Sequence, residues 1–474
     1  MLDNRLRSLN IPSSIENCNN VNCTQSSHHD DTDLFLVKIL QSMKTTAKEC
    51  LPYSMNKSQK SKKAPIANWR EEIQPFKDKA MFWHSIWISA GRPLNTELHK
   101  IMKRTRNVCH LHIRKNKKLA ENLKKDAFLE ACIDNKCDIF ELIRKERQTN
   151  TASSAVIDGC SNDIENKFAD VYQCLYSSVD DENDLGIFKH HLKEKIVSSS
   201  QIDVEEITTD VVDIALKKLK NNKTDPVLDF NSDCMKNAPT IFSQYLASLF
   251  RSFVTHGHIS SFLMISTLVP ILKDKLGDIT SSENYRSIAL SSLILKVFDY
   301  VLLYMYDDKL TTDELQFGYQ KNVSTSMCTW MVVETIDYFQ RNDSNVYACV
   351  MDMTKAFDNV RHSTLFQKLE DRGIPAIFLR ILVVMYEKQL ANVRWNDKLS
   401  RCFSIKNGVK QGAVLSPRLF CVYIDDLFKL LRRKRTGCWI NDMFIGIVGY
   451  ADDLLLLSPT IDGLQDMIKT LLIY

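Results

Sequence analysis

Three aspartates in the second half of the chain have the residue type and the setting of a metal site. Asp352 ends one apolar run, and the adjacent pair Asp452 and Asp453 lies between two further apolar runs. Carboxylate oxygens are the ligands that Mg²⁺ prefers in proteins, with Mn²⁺ as the alternative ion. Carboxylates held together without a metal would repel one another and shift their pKa values. Two ions about 4 Å apart at such a site would stabilise the attacking and leaving oxygens of a phosphoryl transfer.

The apolar runs predict the strands that would bring these carboxylates together. Residues 346–351 (VYACVM) have the pattern of a buried strand, and the runs 443–449 and 454–458 predict a hairpin with the aspartate pair at its tip. If the strand before Asp352 pairs beside this hairpin, the three carboxylates meet at one edge of a sheet. Asp-Asp occurs five times in the sequence, but only this pair is framed by two strand-like runs and matched by a distant partner.

The remainder of the second half predicts a mixture of helices and short strands. The helices are expected at 205–220, 239–256, 288–306, 325–341 and 363–390. The strands are expected at 264–272, 346–352, 392–395, 402–406, 443–449 and 454–458. This alternation indicates a mixture of the α+β or α/β class.

The overall composition is that of an ordinary globular protein. With 44% apolar and 25% charged residues, the chain is expected to fold, and 474 residues suffice for two or three domains. A net charge of +4 does not by itself indicate a nucleic-acid partner.

The 14 cysteines show no repeated spacing and no signal peptide precedes them, so we expect reduced thiols in an intracellular protein. No apolar run approaches the roughly 20 residues that cross a bilayer, and we expect no membrane insertion.

Two segments before residue 205 have compositions that predict little regular structure. Residues 1–65 are rich in Ser, Asn, Thr and Lys, and we expect them to be poorly ordered. Their basic cluster KSQKSKKAP (57–65) is either a nuclear-import signal or a charged linker, so a nuclear location stays open. Residues 151–204 are acidic in places and are expected to form a linker or an insertion.

Residues 66–150 have the pattern of a basic helical region. Between Lys100 and Lys125, ten Lys and Arg residues stand against one acidic residue, Glu121. This excess would attract a phosphate backbone; the alternative is a solvated basic helix face. The candidate nucleic-acid contacts are Lys103, Arg104, Arg106, Arg114, Lys115, Lys117 and Lys118.

Cysteines and histidines of the same region raise the question of a zinc site. The candidates form two pairs, Cys109 with His112 and Cys132 with Cys137. A structural zinc site needs tight ligand pairs that flank a turn, whereas these pairs lie within helical pattern. We therefore expect no zinc at these four residues.

A series of short motifs surrounds the three aspartates. In chain order the motifs are LVPILKDK (268–275), ENYRSIALSS (283–292), QFGYQKNVST (316–325), VMDMTKAFDNVRH (350–362), GVKQGAVLSPRLFCVYIDDL (408–427) and GYADD (449–453). Their content and order resemble those of the reverse transcriptases of non-LTR retrotransposons, and the similarity is greatest to jockey-like elements. The resemblance covers about residues 205–470.

The resemblance implies a fold and an activity. The fold would be the fingers and palm of a right-hand polymerase, formed by residues 205–474. The activity would be that of an RNA-directed DNA polymerase, with an RNA template, a DNA primer and dNTPs. Asp352 and Asp452 would be the main ligands of two Mg²⁺ ions, and Asp453 would be the third carboxylate.

The resemblance also implies a set of nucleotide-binding residues. These are Lys273, Arg286, Lys355, Ala356, Phe357, Gln411 and Gly412. The first two would neutralise phosphates, although without the motifs they would be taken for surface charges. The backbone at 355–357 would cradle the triphosphate, and Phe357, otherwise an ordinary core aromatic, would exclude a ribose 2′-OH. Residues 411–412 would form a loop near the incoming nucleotide and the template.

The sequence departs from the family pattern in several places. The chain ends at Tyr474, where the resemblance would lead on to a thumb domain, and nothing upstream resembles the endonuclease of the family. We therefore expect a truncated copy with intact catalytic carboxylates.

The alternative, from another class, is a catalytically inactive nucleic-acid-binding remnant of a mobile element. A group II intron maturase agrees less well, because its maturase domain and its proline-rich variant of the finger motif are not seen. An RNA-dependent RNA polymerase would usually carry Gly-Asp-Asp and a different residue than Phe357 at the sugar-reading position. The cluster RRKR (432–435) is expected in a loop between palm elements.

Overall fold

The computed structural model divides the chain into two compact units. The larger unit combines Met1–Pro52 with Ala155–Tyr474, and the smaller unit is Tyr53–Ser154. The described residues are 1–21, 23, 25–50, 72–94, 96–133, 156–160, 162–179, 181–198, 206–228, 230–274, 277–353 and 355–474.

The described residues form a mixture of helices and strands. The α-helices are α1 (Leu2–Arg7), α2 (Ser13–Glu16), α3 (Ser26–Cys50), α4 (Gln74–Ser89), α5 (Glu97–Ile133), α6 (Ile164–Leu175), α7 (Glu182–Ser198), α8 (Thr209–Lys217), α9 (Ser232–Lys236), α10 (Thr240–His256), α11 (Leu293–Met305), α12 (Thr325–Arg341), α13 (His362–Asp371), α14 (Ala376–Glu387), α15 (Ser416–Lys434) and α16 (Ile461–Ile473). The strands are β1 (Ile265–Leu272), β2 (Tyr285–Leu290), β3 (Tyr347–Asp352), β4 (Leu390–Trp395), β5 (Lys398–Leu399), β6 (Phe403–Ser404), β7 (Trp439–Ile440), β8 (Met443–Phe444), β9 (Ile447–Tyr450) and β10 (Asp453–Ser458). Among the helices described, none is both long and apolar enough to cross a membrane.

The strands of the larger unit form two principal sheets. One sheet has the order β2-β1-β4-β5, and β6 also pairs with β4. In this sheet β1 is antiparallel to β2 and parallel to β4. The second sheet has the antiparallel order β3-β10-β9 and carries the three aspartates. The short strands β7 and β8 pair with each other.

Helix α10 lies at the centre of the apolar core of the larger unit. Its side chains Phe242, Leu246, Phe250 and Phe253 are fully buried. Their spacing of three or four residues places them on one side of the helix, and further buried residues cover the remaining sides. Helices α1, α2, α3, α8 and α14 pack around it. The core therefore combines residues from both chain segments of the larger unit, Met1–Pro52 and Ala155–Tyr474.

The expectation that residues 1–65 are poorly ordered is wrong for residues 1–50. These residues form α1, α2 and α3, which pack on one another and on α10. The segment has few apolar residues, but those of α3 recur every three or four positions, and Phe35, Leu36, Ile39 and Met43 are buried in the main core. A composition average over 65 residues conceals such a stripe. The basic cluster 57–65 lies outside the described residues.

The expectation that residues 151–204 form a linker or insertion is also wrong where the structure describes them. Helix α6 packs on β4 and buries Phe168 and Tyr172 in a second apolar cluster. Helix α7 packs on α13 and α14 and buries Phe188 and Leu192 in the main core. Two of the acidic residues that suggested a linker, Glu182 and Asp184, lie in the first turn of α7, where negative charge stabilises a helix N-terminus.

Three expected element boundaries change for local reasons. The helix expected at 288–306 begins only at Leu293, because the preceding residues pair with β1 as strand β2. The helix expected at 363–390 is interrupted by Gly373 and Pro375 and forms α13 and α14. The cluster 432–435 is the end of α15 and not a loop; its Arg432 forms an ion pair with Asp313 at 2.8 Å.

In the smaller unit, α4 packs against α5. The ring of Phe76 stacks on that of His112 with centroids 3.7 Å apart, and Met102 and Cys109 are buried. The side chain of Cys132 and the whole of Cys137 lie outside the described residues. The exposed cations of α5 include Lys103, Arg104, Arg106, Arg114, Lys115 and Lys118, whereas the side chain of Lys117 is not described.

Candidate active site

Strand register brings the three expected carboxylates to one edge of the second sheet. Asp352 at the end of β3 lies directly opposite Asp453 at the start of β10. Asp453 also pairs with Tyr450 of β9, so Ala451 and Asp452 form a two-residue turn between β9 and β10. The expected pairing of the 346–352 strand with the hairpin is confirmed. Asp352 and Asp453 are exposed and Asp452 is half-buried, so all three are accessible from the edge of the sheet.

The electrostatics of the turn are those of crowded negative charge. Burial is the main cause that raises the pKa of Asp452, and the charges of Asp453 and Asp352 raise it further. Arg286 is close enough to lower the pKa of Asp452, but it does not offset these effects. Within the described residues, none of the three carboxylates forms an ion pair with a Lys or Arg side chain. A divalent cation would relieve this repulsion.

A buried glutamine, which sequence reasoning missed, holds the turn in place. Gln316 is 1% exposed, and its side chain makes two hydrogen bonds with the backbone of Ala451. The N–H of Ala451 donates to Gln316 Oε1 at 2.9 Å, and Gln316 Nε2 donates to the carbonyl of Ala451 at 3.2 Å. Ala451 has a φ of 62°, a left-handed conformation that costs energy for a residue with a Cβ. The paired hydrogen bonds therefore stabilise the turn that carries Asp452.

The chain around Gln316 extends the second sheet by a short parallel contact. Leu315 accepts a hydrogen bond from Gly449 at 2.9 Å, and Phe317 donates one to Gly449 at 2.7 Å. Gly318 then passes so close to the turn that a Cβ on it would lie 2.2 Å from the nitrogen of Ala451. Only glycine leaves room for this approach. The motif QFGY is thus the support of the aspartate turn.

The loop after Asp352 is organised by a second missed residue, Asp358. This carboxylate is buried and accepts hydrogen bonds from the Gln411 amide at 3.2 Å and 3.3 Å and from the Tyr176 hydroxyl at 3.0 Å. Burial raises its pKa, whereas these two hydrogen bonds and the charges of Lys355 and Lys273 lower it. The second aspartate of VMDMTKAFDNVRH was the available signal, but nothing local distinguished it from a surface residue.

The loop 407–412 joins the Asp352 loop to strand β2. Gly408 and Val409 donate to the carbonyls of Val360 at 2.8 Å and Phe357 at 2.7 Å. Gly408 has a φ of 87°, and a Cβ there would lie 2.6 Å from the carbonyl oxygen of Asp358, so the position requires glycine.

At the other end of that loop, the carbonyl of Gln411 accepts a hydrogen bond from Ala289 of β2 at 2.8 Å, and Gly412 follows directly. The side chain of Gln411 is directed to Asp358, as described above, so its direct contact with a nucleotide stays a prediction. The loop connects the first sheet, through β2, to the loop that follows β3.

Phe357 lies between the aspartate turn and helix α15. Its half-buried ring stacks on Phe420 with centroids 4.6 Å apart and meets Tyr319 edge-on at 6.4 Å. The charge of Asp452 contributes to the raised pKa of Tyr319, after burial, which places Tyr319 beside the carboxylates. One face of the Phe357 ring is thus fixed by packing. A steric role against a sugar stays a prediction.

The expected phosphate-binding cations lie around the same edge. Arg286 is exposed on β2, and Lys355 is exposed with a φ of 53° in the turn after Asp352, beside Ala356. Lys273 follows β1, and its Nζ donates to the carbonyl of Glu283 at 2.7 Å. Lys355 and Lys273 lower the pKa of Asp358, and Arg286 lowers that of Asp452, so each cation is near one of these two carboxylates. The cations of α5 belong to the smaller unit.

The three-stranded antiparallel sheet thus presents three carboxylates, and Arg286 of the other sheet lies near one of them, an arrangement suited to divalent cations and phosphate groups. Residues 271–473 match the family model of the reverse transcriptase (RNA-dependent DNA polymerase). This match and the curated relatives below make residues 271–473 similar to the reverse transcriptases of non-LTR retrotransposons, in a part of the chain that mixes helices and strands. Reverse transcriptases of this family use divalent metal ions.

The chain is similar to several curated retrotransposon proteins. It is 27% identical over 226 residues to a Pol polyprotein of the type-1 retrotransposable element R2 of Bradysia coprophila, which covers 47% of this chain and 25% of that protein. It is 26% identical over 190 residues to that of the type-2 element R2DM of Drosophila melanogaster, covering 40% and 18%. It is 26% identical over 287 residues to the probable RNA-directed DNA polymerase from transposon BS of the same fly, covering 57% and 30%. The chain thus spans less than a third of the length of these relatives.

Among solved structures, apo telomerase of Candida tropicalis truncated from the C-terminal domain aligns with 45% of this chain and 47% of its own. The identity is 15% and the TM-score is 0.31, an overlap too weak to add to the assignment.

Proposed function

We propose that the larger unit catalyses RNA-templated DNA synthesis by nucleotidyl transfer to a primer 3′-OH. The observation that carries the proposal is the register of β3 and β10, which sets Asp352 opposite Asp453 beside the Asp452 turn. The substrates would be an RNA template, a DNA primer and dNTPs.

The donor set suits two Mg²⁺ ions. The three carboxylates offer only oxygen ligands, and their mutual repulsion contributes to the raised pKa of Asp452. Mn²⁺ accepts the same ligands. When bound, Mg²⁺ would activate the 3′-OH and offset the charge of the triphosphate and of the leaving pyrophosphate. The protein's contribution is the rigid edge of the sheet, which the Gln316 hydrogen bonds to Ala451 help to fix.

The surrounding residues would bind and orient the nucleotide. Arg286 supplies positive charge near Asp452, and Lys273 and Lys355 supply it near Asp358, as a triphosphate would require. The backbone N–H groups of the tight turn at 355–357 are available to phosphate oxygens. Phe357, with its inner face stacked on Phe420, would present its outer face to the sugar.

A primer-extension assay tests the proposal directly. Purified chain is incubated with an RNA template annealed to a DNA primer, four dNTPs and Mg²⁺, and the products are resolved by length. We expect extension by many nucleotides that follows the template and stops when EDTA is added. A chain that binds the duplex but adds no nucleotide with either Mg²⁺ or Mn²⁺ would be the catalytically inactive remnant instead.

Replacing Phe357 with Val should weaken the selection of dNTPs over rNTPs. A smaller side chain leaves room for the 2′-OH, and a steric difference of this size corresponds to about 10- to 200-fold in discrimination. Single-nucleotide incorporation rates with dNTP and with the matching rNTP give the ratio of kcat/KM values for the wild type and the variant.

The matched control for this change is Phe339→Val, which alters another half-buried phenylalanine on α12. The control should keep the wild-type ratio. An unchanged ratio in Phe357→Val, with activity retained, would remove the sugar-selecting role from this ring.

We also propose that the basic helix surface of the smaller unit binds the phosphate backbone of nucleic acid. This surface comprises Lys103, Arg104, Arg106, Arg114, Lys115, Lys117 and Lys118. Its described cations are exposed, while the buried Met102 and Cys109 turn another side of α5 inward. Spacings of three, four and eleven residues align most of these cations along one side of the helix. A continuous cationic stripe is suited to a linear polyanion.

The triple variant Lys103→Gln, Arg104→Gln and Arg114→Gln should bind single-stranded nucleic acid more weakly and with less dependence on salt. Each phosphate contact contributes roughly 0.7 to the slope of log Kobs against log salt, so the slope should fall by about 2. Fluorescence anisotropy with one labelled strand at several salt concentrations measures it.

The control for the triple variant removes the same charge from another exposed helix face. Lys38, Lys44 and Lys48 are exposed on α3, and their change to Gln should leave the slope nearly unchanged. Equal losses in both triple variants would indicate a non-specific effect of net charge and would contradict the proposed surface.

A further inference from the structure

Four metal-ligating side chains come together in the larger unit, far from the carboxylate site. The donor atoms of Cys18, Cys23, His28 and His256 all lie within 4.8 Å of one another. Three of these residues are half-buried and His256 is buried. Two thiols and two imidazoles are the ligand set of many structural zinc sites.

The cluster lies where the N-terminal segment crosses the end of helix α10. Cys18 and Cys23 belong to the connection between α2 and α3, His28 is in the first turn of α3, and His256 is the last residue of α10. The Arg380 guanidinium holds this crossing together. It donates to the carbonyl of Val21 at 2.6 Å and to the carbonyls of residues 254 and 255 of α10 at 2.7 Å and 2.8 Å.

The distances suit a tetrahedral ion with little rearrangement. With Zn–S about 2.3 Å and Zn–N about 2.0 Å, neighbouring ligand atoms are roughly 3.3–3.8 Å apart. The Sγ of Cys23 and the Nδ1 of His28 are 3.3 Å apart. The rings of His28 and His256 have centroids 5.2 Å apart. A small contraction of the remaining pairs completes the tetrahedron.

His256 provides an independent sign of a ligand. It is 6% exposed, and within the described residues neither of its ring nitrogens has a hydrogen-bond partner. Burying both nitrogens without partners is costly, because each loses its hydrogen bonds to water and gains none in the protein. A coordinated metal would satisfy one of them. A disulfide between Cys18 and Cys23 would consume both thiols and would leave the ring nitrogens of His256 unsatisfied.

We propose that Cys18, Cys23, His28 and His256 bind one Zn²⁺ ion that fastens the N-terminal helices to α10. Four protein ligands leave no open position, so the site is structural and takes no part in nucleotidyl transfer. A cavity of about 650 Å³, lined in part by Cys23 and His256, gives the ion a path to the site. The first three ligands span only eleven residues, and the fourth comes from the other side of the core.

The first test measures zinc in the wild-type chain, so it does not depend on the folding of any variant. Protein purified in reducing buffer and dialysed against metal-free buffer should keep one zinc ion per chain by elemental mass spectrometry. Replacement with Co²⁺ should give the d–d absorption of a tetrahedral ion and a thiolate-to-cobalt charge-transfer band. Zinc well below one ion per chain, or a Cys18–Cys23 disulfide in the reduced preparation, overturns the proposal.

The second test assigns the ligands. Cys18→Ser, Cys23→Ser, His28→Gln and His256→Gln should each lose bound zinc on dialysis. Cys402→Ser and His190→Gln, which change exposed residues of the same types elsewhere, should keep it. Zinc retained by His256→Gln, or lost equally from the two control variants, overturns the assignment.

Hydrogen exchange then tests whether the ion fastens the N-terminal helices to α10. Removing zinc with a chelator should speed amide exchange in residues 1–50 and leave the β3-β10-β9 sheet unchanged, because the site joins α3 to α10 and none of its four ligands belongs to that sheet. Unchanged exchange in residues 1–50 overturns the fastening role. Equal acceleration in the two regions overturns it as well.

Discussion

The variant Asp452→Asn should lower the rate of templated primer extension by at least about a thousandfold. A bound metal contributes several kcal/mol to the stabilisation of a phosphoryl-transfer transition state, and about 1.4 kcal/mol corresponds to a factor of ten. Asp452 lies in the turn between β9 and β10, beside the facing pair Asp352 and Asp453. An amide in its place keeps the shape and removes the charge that holds the cation. Single-turnover extension with saturating dNTP measures the loss.

The same variant has a second expected effect that separates metal binding from folding. Burial, and after it the charges of Asp453 and Asp352, raise the pKa of Asp452, so its negative charge is unfavourable in the metal-free protein. Asp452→Asn should therefore unfold at the wild-type temperature or above it in EDTA. Mg²⁺ should raise the unfolding temperature of the wild type, since it binds the folded state, and should raise that of the variant much less. Differential scanning calorimetry with and without Mg²⁺ gives both values.

The control for Asp452→Asn is Asp308→Asn. It makes the same change in another Asp-Asp pair, at an exposed carboxylate outside the sheet of the candidate site. The control should extend primers at the wild-type rate and respond to Mg²⁺ as the wild type does. Activity of Asp452→Asn within a factor of ten of the wild type would contradict the two-metal proposal.

The carboxylate site was predictable because its information is local. The runs before Asp352 and on either side of Asp452 and Asp453 read as strands without any knowledge of the fold. The tight YADD connection indicates a hairpin. Once the hairpin forms, one pairing of the remaining strand brings Asp352 opposite Asp453, and the structure has that register. Periodicity thus specifies both the elements and the edge at which they meet.

The supports of the site could not be predicted because their partners are distant in the chain. Gln316 is a polar residue between a helix and a turn, and only the parallel contact with Gly449, more than a hundred residues later, places it under Ala451. Asp358 became significant only through Tyr176 and Gln411, which come from two other segments. Periodicity in a sequence relates residues that are three or four positions apart, whereas these contacts depend on how distant helices, strands and loops pack in the fold.

The expected disorder of the N-terminal segment was wrong for the opposite reason, because the average composition conceals the regular spacing of its apolar residues. Its polar composition indicated disorder, but the buried stripe of α3 and the site of Cys18, Cys23 and His28 lie within it. Two cysteines and a histidine with gaps of four residues do not by themselves indicate zinc. The fourth ligand, His256, becomes their neighbour only because α10 ends at the same place.

Replacing Gly318 with Ala should lower the rate of primer extension by about a hundredfold while the protein stays folded. The added Cβ would lie 2.2 Å from the nitrogen and 2.8 Å from the Cα of Ala451. Both atoms are backbone, so the clash is relieved only if the turn that carries Asp452 moves. A displacement of about 1 Å in a catalytic group can cost a hundredfold in rate, whereas overpacking at one position typically costs about 1–3 kcal/mol of stability. The rate should therefore fall far more than the free energy of unfolding.

Gly186→Ala supplies the matched control, since it makes the same substitution within helix α7, where a Cβ meets nothing within 4 Å. That change should leave the extension rate unchanged and stabilise the protein slightly, because alanine favours a helix by about 0.5–1 kcal/mol over glycine. Extension rates and urea unfolding of both variants are compared with those of the wild type. If Gly318→Ala keeps the wild-type rate, or loses rate only in proportion to a global loss of folded protein, the position of the Asp452 turn does not depend on the approach of Gly318. In that case the motif QFGY would have a role in stability alone, and the aspartate turn would owe its geometry to the pairing of β9, β10 and β3.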